Sequence, residues 1–235
     1  EGEEINMKEE LWHKNRWPPT VKKTLDYPDE PLFALLDKVA KEHPDRPSTL
    51  WSGVSKSFAE VKDHADRIAN FLVSRGIKKG DRVAIFLPNL PQYPPIFFGI
   101  LKTGAIAVTC NPSYTMGELN FQLKDAGVKA VFCMDDKRFT PTTYEAAKGT
   151  DVETVIVCSV KSFLPKAKAV IGGLIGKIPK SPYYEEGKTF FYDNIVTEFE
   201  PKAPDVKINA KEDLALILYT GGTTGTPKGA MLTHR

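Results

Sequence analysis

Four short apolar runs constrain the fold of this chain more than anything else in it: "RVAIFLP" (82–88), "AIAVTC" (105–110), "KAVFCM" (129–134) and "TVIVCSV" (154–160). Each is a compact strand candidate rather than one stripe of an amphipathic helix. Between the first two lies "NLPQYPPIFFGILKTG", which reads as a helix from about Gln92 that stops near Gly104. Between the next two, Thr115-Met-Gly-Glu118 has capping-box spacing and Gly127 is placed to close the helix it opens. Apolar strands separated by helical crossovers make a parallel sheet with both faces covered. The expected fold is therefore α/β, a doubly wound parallel sheet.

Upstream, "PLFALLDKVAKEH" carries apolar residues at helical spacing, with Asp29 and Glu30 ahead of it and Pro31 suited to the first turn. Ser57-Phe-Ala-Glu60 repeats the capping-box spacing and opens a helix whose apolar face includes Val61, Ala65, Ile68 and Leu72, with Gly76 placed to end it. Before these comes a Pro-punctuated lead-in over residues 1–30, in which Trp12 and Trp17 are expected to pad the domain surface.

Composition excludes several function classes. At 235 residues the chain can bury one large core or two smaller ones. Its formal net charge of +2 argues against wholesale nucleic-acid binding. Cys110, Cys133 and Cys158 are dispersed and form no CxxC pair, which suits a reducing cytosol and neither a disulfide frame nor a zinc site. No run reaches the roughly eighteen apolar residues of a membrane span. The acidic, polar start "EGEEINMKEE" is not a signal peptide, so a cytoplasmic setting is expected.

The chemistry concentrates near the end, in "LILYTGGTTGTPKGAMLTHR". "DLALILYT" (213–220) and "AMLTH" (230–234) are strand candidates, and "GGTTGTPKG" (221–229) connects them. Glycines let backbone N–H groups turn towards one point, threonines add hydroxyl donors, and Lys228 adds a mobile positive charge. Such a set neutralises a polyphosphate. Residue type alone equally allows a plain surface hairpin. The stretch is not a Walker A loop, because Pro227 precedes Lys228 and Gly229 follows it.

"YTGGTTGTPKGAMLTHR" resembles the signature phosphate loop of the adenylate-forming superfamily of acyl-CoA synthetases, luciferases and adenylation domains. The match holds at Tyr219, Thr220, Gly222, Thr223, Thr224, Gly225, Pro227, Lys228 and Gly229, and departs at Gly221, where Ser is commoner. Gly221 followed by "AMLTHR" is similar to the long-chain fatty-acid–CoA ligase branch. "SFAEVKDHADRIANFLVSRGIKKGDRVAIFLPN" and "GILKTGAIAVTCNPSYTMGELNFQL" extend the resemblance over residues 12–235.

The resemblance implies a two-step activation. The carboxylate of a fatty acid attacks the α-phosphate of ATP–Mg2+, and the thiol of coenzyme A then displaces AMP. It implies that Thr220, Gly221, Gly222, Thr223, Thr224, Gly225, Thr226, Pro227 and Lys228 hold the phosphates, with Thr220 contributing to the magnesium site. Tyr219 is expected to pack at the strand end. Residues 31–235 would then be an incomplete N-terminal AMP-binding domain, with its phosphate loop at 219–229. The family's other working parts lie further downstream, so the resemblance implies a longer enzyme and no catalytic residue or adenylation by these residues alone. Aryl, amino or shorter acyl acids remain alternative substrates, and a non-catalytic phosphate- or membrane-binding module is the alternative if the natural chain ends at Arg235.

One stretch stands apart, a basic amphipathic insertion over 161–182. Thr154 to Tyr184 holds no acidic residue, yet contains Lys161, Lys166, Lys168, Lys177 and Lys180. Drawn as a helix, Ala167, Val170, Ile171, Leu174, Ile175 and Ile178 share one face, with Gly172, Gly173 and Gly176 on the other side. Each interior glycine costs roughly 1 kcal/mol, so the helix needs its apolar face covered. The expected cover is the protein's own domain. An anionic bilayer, worth about 1 kcal/mol per basic residue, is the alternative and would make the protein peripheral on the membrane. Self-association as a homodimer is left open.

Other residues carry less. His13, His43, His64 and His234 are too dispersed for a metal site. His43 ends a helix, where a cation suits the dipole, and His64 is expected on a polar helix face. Asp135-Asp136 reads as a strand-to-loop exit.

Overall fold

The fold is described from a computed structural model, which describes residues 18, 20–22, 25–220 and 227–235. Trp12, Trp17 and His13 lie outside the described residues. A two-stranded antiparallel hairpin, β1 (Pro47–Trp51) and β2 (Val54–Ser57), precedes the main sheet. That sheet contains β3 (Arg82–Phe86), β4 (Ile106–Thr109), β5 (Val128–Met134), β6 (Thr154–Cys158), β7 (Thr189–Phe191), β8 (Leu214–Thr220) and β9 (Lys228–Thr233). The described helices are α1 (Ala34–Glu42), α2 (Phe58–Ser74), α3 (Tyr93–Lys102), α4 (Met116–Asp125), α5 (Phe139–Ala147), α6 (Lys166–Leu174) and α7 (Tyr192–Glu198).

Across the main sheet the order is β7-β6-β5-β3-β4-β8-β9. Every neighbouring pair is parallel except β8 with β9. The chain steps from β3 outward to β4, then crosses back to β5 on the other side of β3. Such a reversal opens a crevice at the carboxyl ends of the strands, where open α/β sheets bind their ligands.

The apolar runs become strands because both of their faces are buried. Val83 and Ile85 join Ile68, Leu72, Ile96 and Ile100 in a core beneath α2, α3 and α7. Their neighbours Ala84 and Phe86 point the other way, to Leu119, Leu123 and Tyr144 of α4 and α5. This is the two-residue alternation of a strand with no wet face. At the α2–α3 contact the backbones approach so closely that a Cβ on Gly99 would sit 2.8 Å from Ile68 Cγ2 and 2.9 Å from the Ala65 carbonyl oxygen.

Both capping boxes form. Ser57 Oγ accepts from the Glu60 amide (3.2 Å) while the Glu60 carboxylate accepts from the Ser57 amide (2.8 Å). Thr115 and Glu118 repeat the exchange at 3.4 and 2.8 Å. Gly76 and Gly127 sit at φ +81° and +58°, beyond the ends of α2 and α4, as helix-closing glycines do. Cys110, Cys133 and Cys158 are buried free thiols, and burial pushes Cys110 and Cys133 up to about 12.

Three expectations are corrected. Helix α1 starts at Ala34, so Pro31 lies in the turn before it, its carbonyl accepting from the Ala34 amide at 2.8 Å. That turn is held from afar, because the Leu32 amide donates to His234 Nδ1 at 3.2 Å. Second, His64 is not on a polar face. It is packed against α7, where its Nδ1 shares a 2.8 Å hydrogen bond with Tyr192 Oη. Burial depresses its pKa from 6.5 to about 4. A histidine kept neutral in the fold contributes stability that is complete above pH 6.5 and lost as pH falls towards 4. The thermal midpoint should therefore drop more steeply across that interval in the native protein than in His64→Gln, and parallel profiles would contradict this packing.

Third, the apolar face of the basic insertion is not covered by the described domain. Val170, Ile171, Leu174 and Ile175 are 61, 58, 82 and 57% exposed. The helix forms over Lys166–Leu174 but rests on its small side: a Cβ on Gly172 would lie 3.2 Å from Ile178 Cγ1. Only Ile178 of that face reaches the core. No helix among the described residues is long and apolar enough to cross a membrane.

Candidate functional site

The strand β8 is parallel to β4, so its carboxyl end, Thr220, emerges on the ligand-binding edge of the sheet. There the chain turns, and β9 returns antiparallel with Thr220 opposite Lys228 and Tyr219 opposite Gly229. Lys228 and Gly229 thus belong to the returning strand, which begins two residues earlier than its sequence suggests. Gly221, Gly222, Thr223, Thr224, Gly225 and Thr226 lie outside the described residues. What is described is the stem that presents them, together with Thr220, Pro227 and Lys228.

The stem is rigid for identifiable reasons. Tyr219 lies across Gly229: a Cβ there would stand 3.2 Å from its ring and 2.8 Å from Ile217 Cγ2, so only glycine fits. The Tyr219 hydroxyl donates to the Asp125 carboxylate at 2.5 Å, tying the end of β8 to α4. Burial first, and then that carboxylate, push the tyrosine pKa upward, so Tyr219 is a neutral donor. It packs at the strand end, as expected. Further along, the His234 amide donates to the Asp213 carbonyl at 3.3 Å, and Asp213 is paired with Lys79 at 2.6 Å.

Thr220 and Lys228 sit side by side and exposed at the mouth of this stem. The Thr220 hydroxyl makes a long 3.4 Å contact to the Lys228 carbonyl. Among the described residues no carboxylate lies within ion-pair distance of Lys228. A hydroxyl beside an unneutralised ammonium is donor chemistry suited to a phosphate oxygen, with the hydroxyl lone pairs also suited to a hard cation. No group of three or more His, Cys, Asp or Glu converges among the described residues, so no all-protein cage for a metal is present there.

Beside the stem a cleft of about 390 Å³ is lined by Tyr114, Glu118, Phe121, Gln122, Tyr219 and Pro227. Gln122 is fully buried and donates to the Thr109 carbonyl at 2.9 Å. Its Oε1 and the Thr109 hydroxyl find no partner among the described residues. The sequence reading did not single out Gln122; its place three residues after Leu119, on the inner side of α4, was the available signal.

A family model described as "AMP-binding enzyme" matches residues 36–235. The long-chain-fatty-acid–CoA ligase of Haemophilus influenzae is 35% identical over 233 residues, which cover 96% of this chain and 40% of that protein. A solved long-chain-fatty-acid-CoA ligase from Archaeoglobus fulgidus superposes with a TM-score of 0.66 at 25% identity, covering 90% of this chain and 38% of that one. The anthranilate CoA ligase AuaEII, solved with anthranoyl-AMP, gives a TM-score of 0.73 at 19% identity over 89% of this chain and 36% of its own, a likeness of fold. The chain spans about 40% of the length of the curated relatives it matches.

Proposed function

This chain belongs to the AMP-binding enzyme family, and we propose that its protein is an ATP-dependent ligase joining a long-chain fatty acid to coenzyme A. The observation that carries the reading is one of position: "YTGGTTGTPKG" leaves the sheet at the carboxyl end of β8, and Thr220 and Lys228 flank its mouth. The long-chain acid is supported by relatives of that name at 33–35% identity and by Gly221 followed by "AMLTHR".

In this reading the acid's carboxylate oxygen forms a bond to the α-phosphorus of ATP as the bond to pyrophosphate breaks. The thiol of coenzyme A then attacks the acyl carbon and AMP departs. Charge builds on the phosphoryl oxygens and the leaving pyrophosphate, so positioned donors lower the barrier. Lys228 supplies a full positive charge there, and residues 220–226 supply hydroxyl and amide donors. Magnesium, when bound, neutralises the polyphosphate, and Thr220 Oγ1 is the ligand this stem offers. Tyr219 and Gly229 act one step back, by holding the stem against α4.

Acid-dependent ATP–pyrophosphate exchange across short, medium and long fatty acids, benzoate and amino acids tests the reading. Exchange that rises with acyl chain length is expected. Exchange with benzoate or amino acids alone would replace the fatty acid with that class.

A further inference from the structure

We propose that α6 and its flanking lysines form a docking surface for an anionic lipid bilayer. The helix is inverted relative to an ordinary surface helix. Its small residues Ala169 and Gly172 are half-buried on the protein side, while Val170, Ile171, Leu174 and Ile175 are turned outward. Ordinary amphipathic helices bury their large apolar stripe, and a contiguous outward one marks an interaction surface. Ile178 packs against Gly172 on the protein side, where a Cβ would stand 3.2 Å from its Cγ1, a tight contact that suits this orientation.

Charge identifies the partner. Lys168 lies on α6, and Lys161, Lys177 and Lys180 lie on the segments that lead into and out of it, all four exposed. Among the described residues none of the four pairs with a carboxylate. The sequence from Thr154 to Tyr184 contains no acid at all. Lys161, Lys177 and Lys180 also line a cleft of about 670 Å³ between α6 and the carboxyl ends of β5 and β6, with space for an anionic headgroup. Asp135 and Asp136 also border that cleft, but the Asp135 carboxylate accepts from the Ser181 amide (2.7 Å) and the Tyr184 hydroxyl (2.9 Å), and that of Asp136 from the Arg138 amide (2.8 Å). An exposed apolar helix face with unpaired lysines on the helix and its flanks is what an interfacial helix presents to acidic lipid. The proposal does not depend on the ligase chemistry.

Flotation of the purified protein with phosphatidylcholine vesicles, with and without phosphatidylglycerol, tests it. Binding is expected on the anionic vesicles, at least about 10-fold weaker on the neutral ones, and weaker with added salt. Lys168→Glu, Lys177→Glu and Lys180→Glu together should weaken it roughly 100-fold. Ile171→Glu with Leu174→Glu should also abolish it, and neither variant should move the thermal midpoint, since all five side chains are exposed. Undiminished binding by the charge-reversed protein, or equal binding to neutral vesicles, overturns the proposal. So does a failure to bind any vesicle, and a lowered midpoint for the Ile171/Leu174 variant would then mean that protein covers the face.

Discussion

Lys228→Ala should reduce acid-dependent ATP–pyrophosphate exchange by about 10²–10³-fold while leaving the thermal midpoint within the range of a neutral surface change. The two halves of this expectation have separate origins. The side chain is exposed and, among the described residues, makes no ion pair, so the fold loses nothing when it is shortened. The loss falls entirely on the charge that develops at the phosphates. Lys228→Arg should retain part of the activity, because charge is kept while the point-like ammonium is exchanged for a broad fork. Exchange within a few-fold of native for Lys228→Ala would remove the lysine from the phosphate site and return it to the role of a solvated strand residue.

The largest stability effect is expected far from that site, at Lys102. Its ammonium lies 2.5 Å from Asp37 Oδ1 and 2.6 Å from Asp66 Oδ1. The side chains of Lys102 and Asp66 are each only 5% exposed. Lys62 approaches the other Asp66 oxygen at 2.5 Å, so the cluster knits α1, α2 and α3 together. Lys102→Ala leaves the Asp66 carboxylate buried with one cation in place of two. Breaking a buried pair from one side costs about 3–5 kcal/mol, equivalent to a fall of order 10 °C in the midpoint for a chain of this size. Lys102→Met combined with Asp66→Asn removes both buried charges and should recover most of the loss. Denaturant unfolding of the single and double variants decides the matter: a single variant within about 0.5 kcal/mol of native would show that the cluster contributes little.

Much of this architecture was legible because the residues that set it act locally. The four apolar runs became β3, β4, β5 and β6, and both Ser/Thr–x–x–Glu boxes capped the helices they were expected to cap. Elements that depend on partners were harder to read. Strand β7 is only Thr189–Phe191 and exists because β6 offers it an edge. Helix α5, "FTPTTYEAA", holds three threonines and a proline in nine residues, poor helix formers that succeed because Thr143, Tyr144, Ala146 and Ala147 are buried. The β1–β2 hairpin turns at Ser52-Gly53, both at positive φ, a two-residue signal that went unread.

The site divides along the same line. Glycine, threonine and lysine spacing is what suggests a phosphate loop, whereas what fixes its stem is long-range. The Tyr219–Asp125 hydrogen bond spans 94 positions in sequence, and the Leu32–His234 bond spans 202. Neither pairing has a local signature. His64 illustrates the converse: it looked like a surface residue until a distant tyrosine, Tyr192, closed over it, whereas Asp135 leaves the end of β5 as expected and only its bond to Tyr184 went unread.

Activation of the acid as an adenylate leaves a signature in where the carboxylate oxygen goes. A fatty acid labelled with heavy oxygen in its carboxylate is incubated with the protein, ATP and coenzyme A, and the nucleotide and phosphate products are weighed by mass spectrometry. If the carboxylate attacks the α-phosphorus, one labelled oxygen appears in AMP and pyrophosphate stays unlabelled. Label in inorganic phosphate with ADP as the nucleotide product, or thioester formed with unlabelled AMP, would contradict the mechanism assigned to this loop.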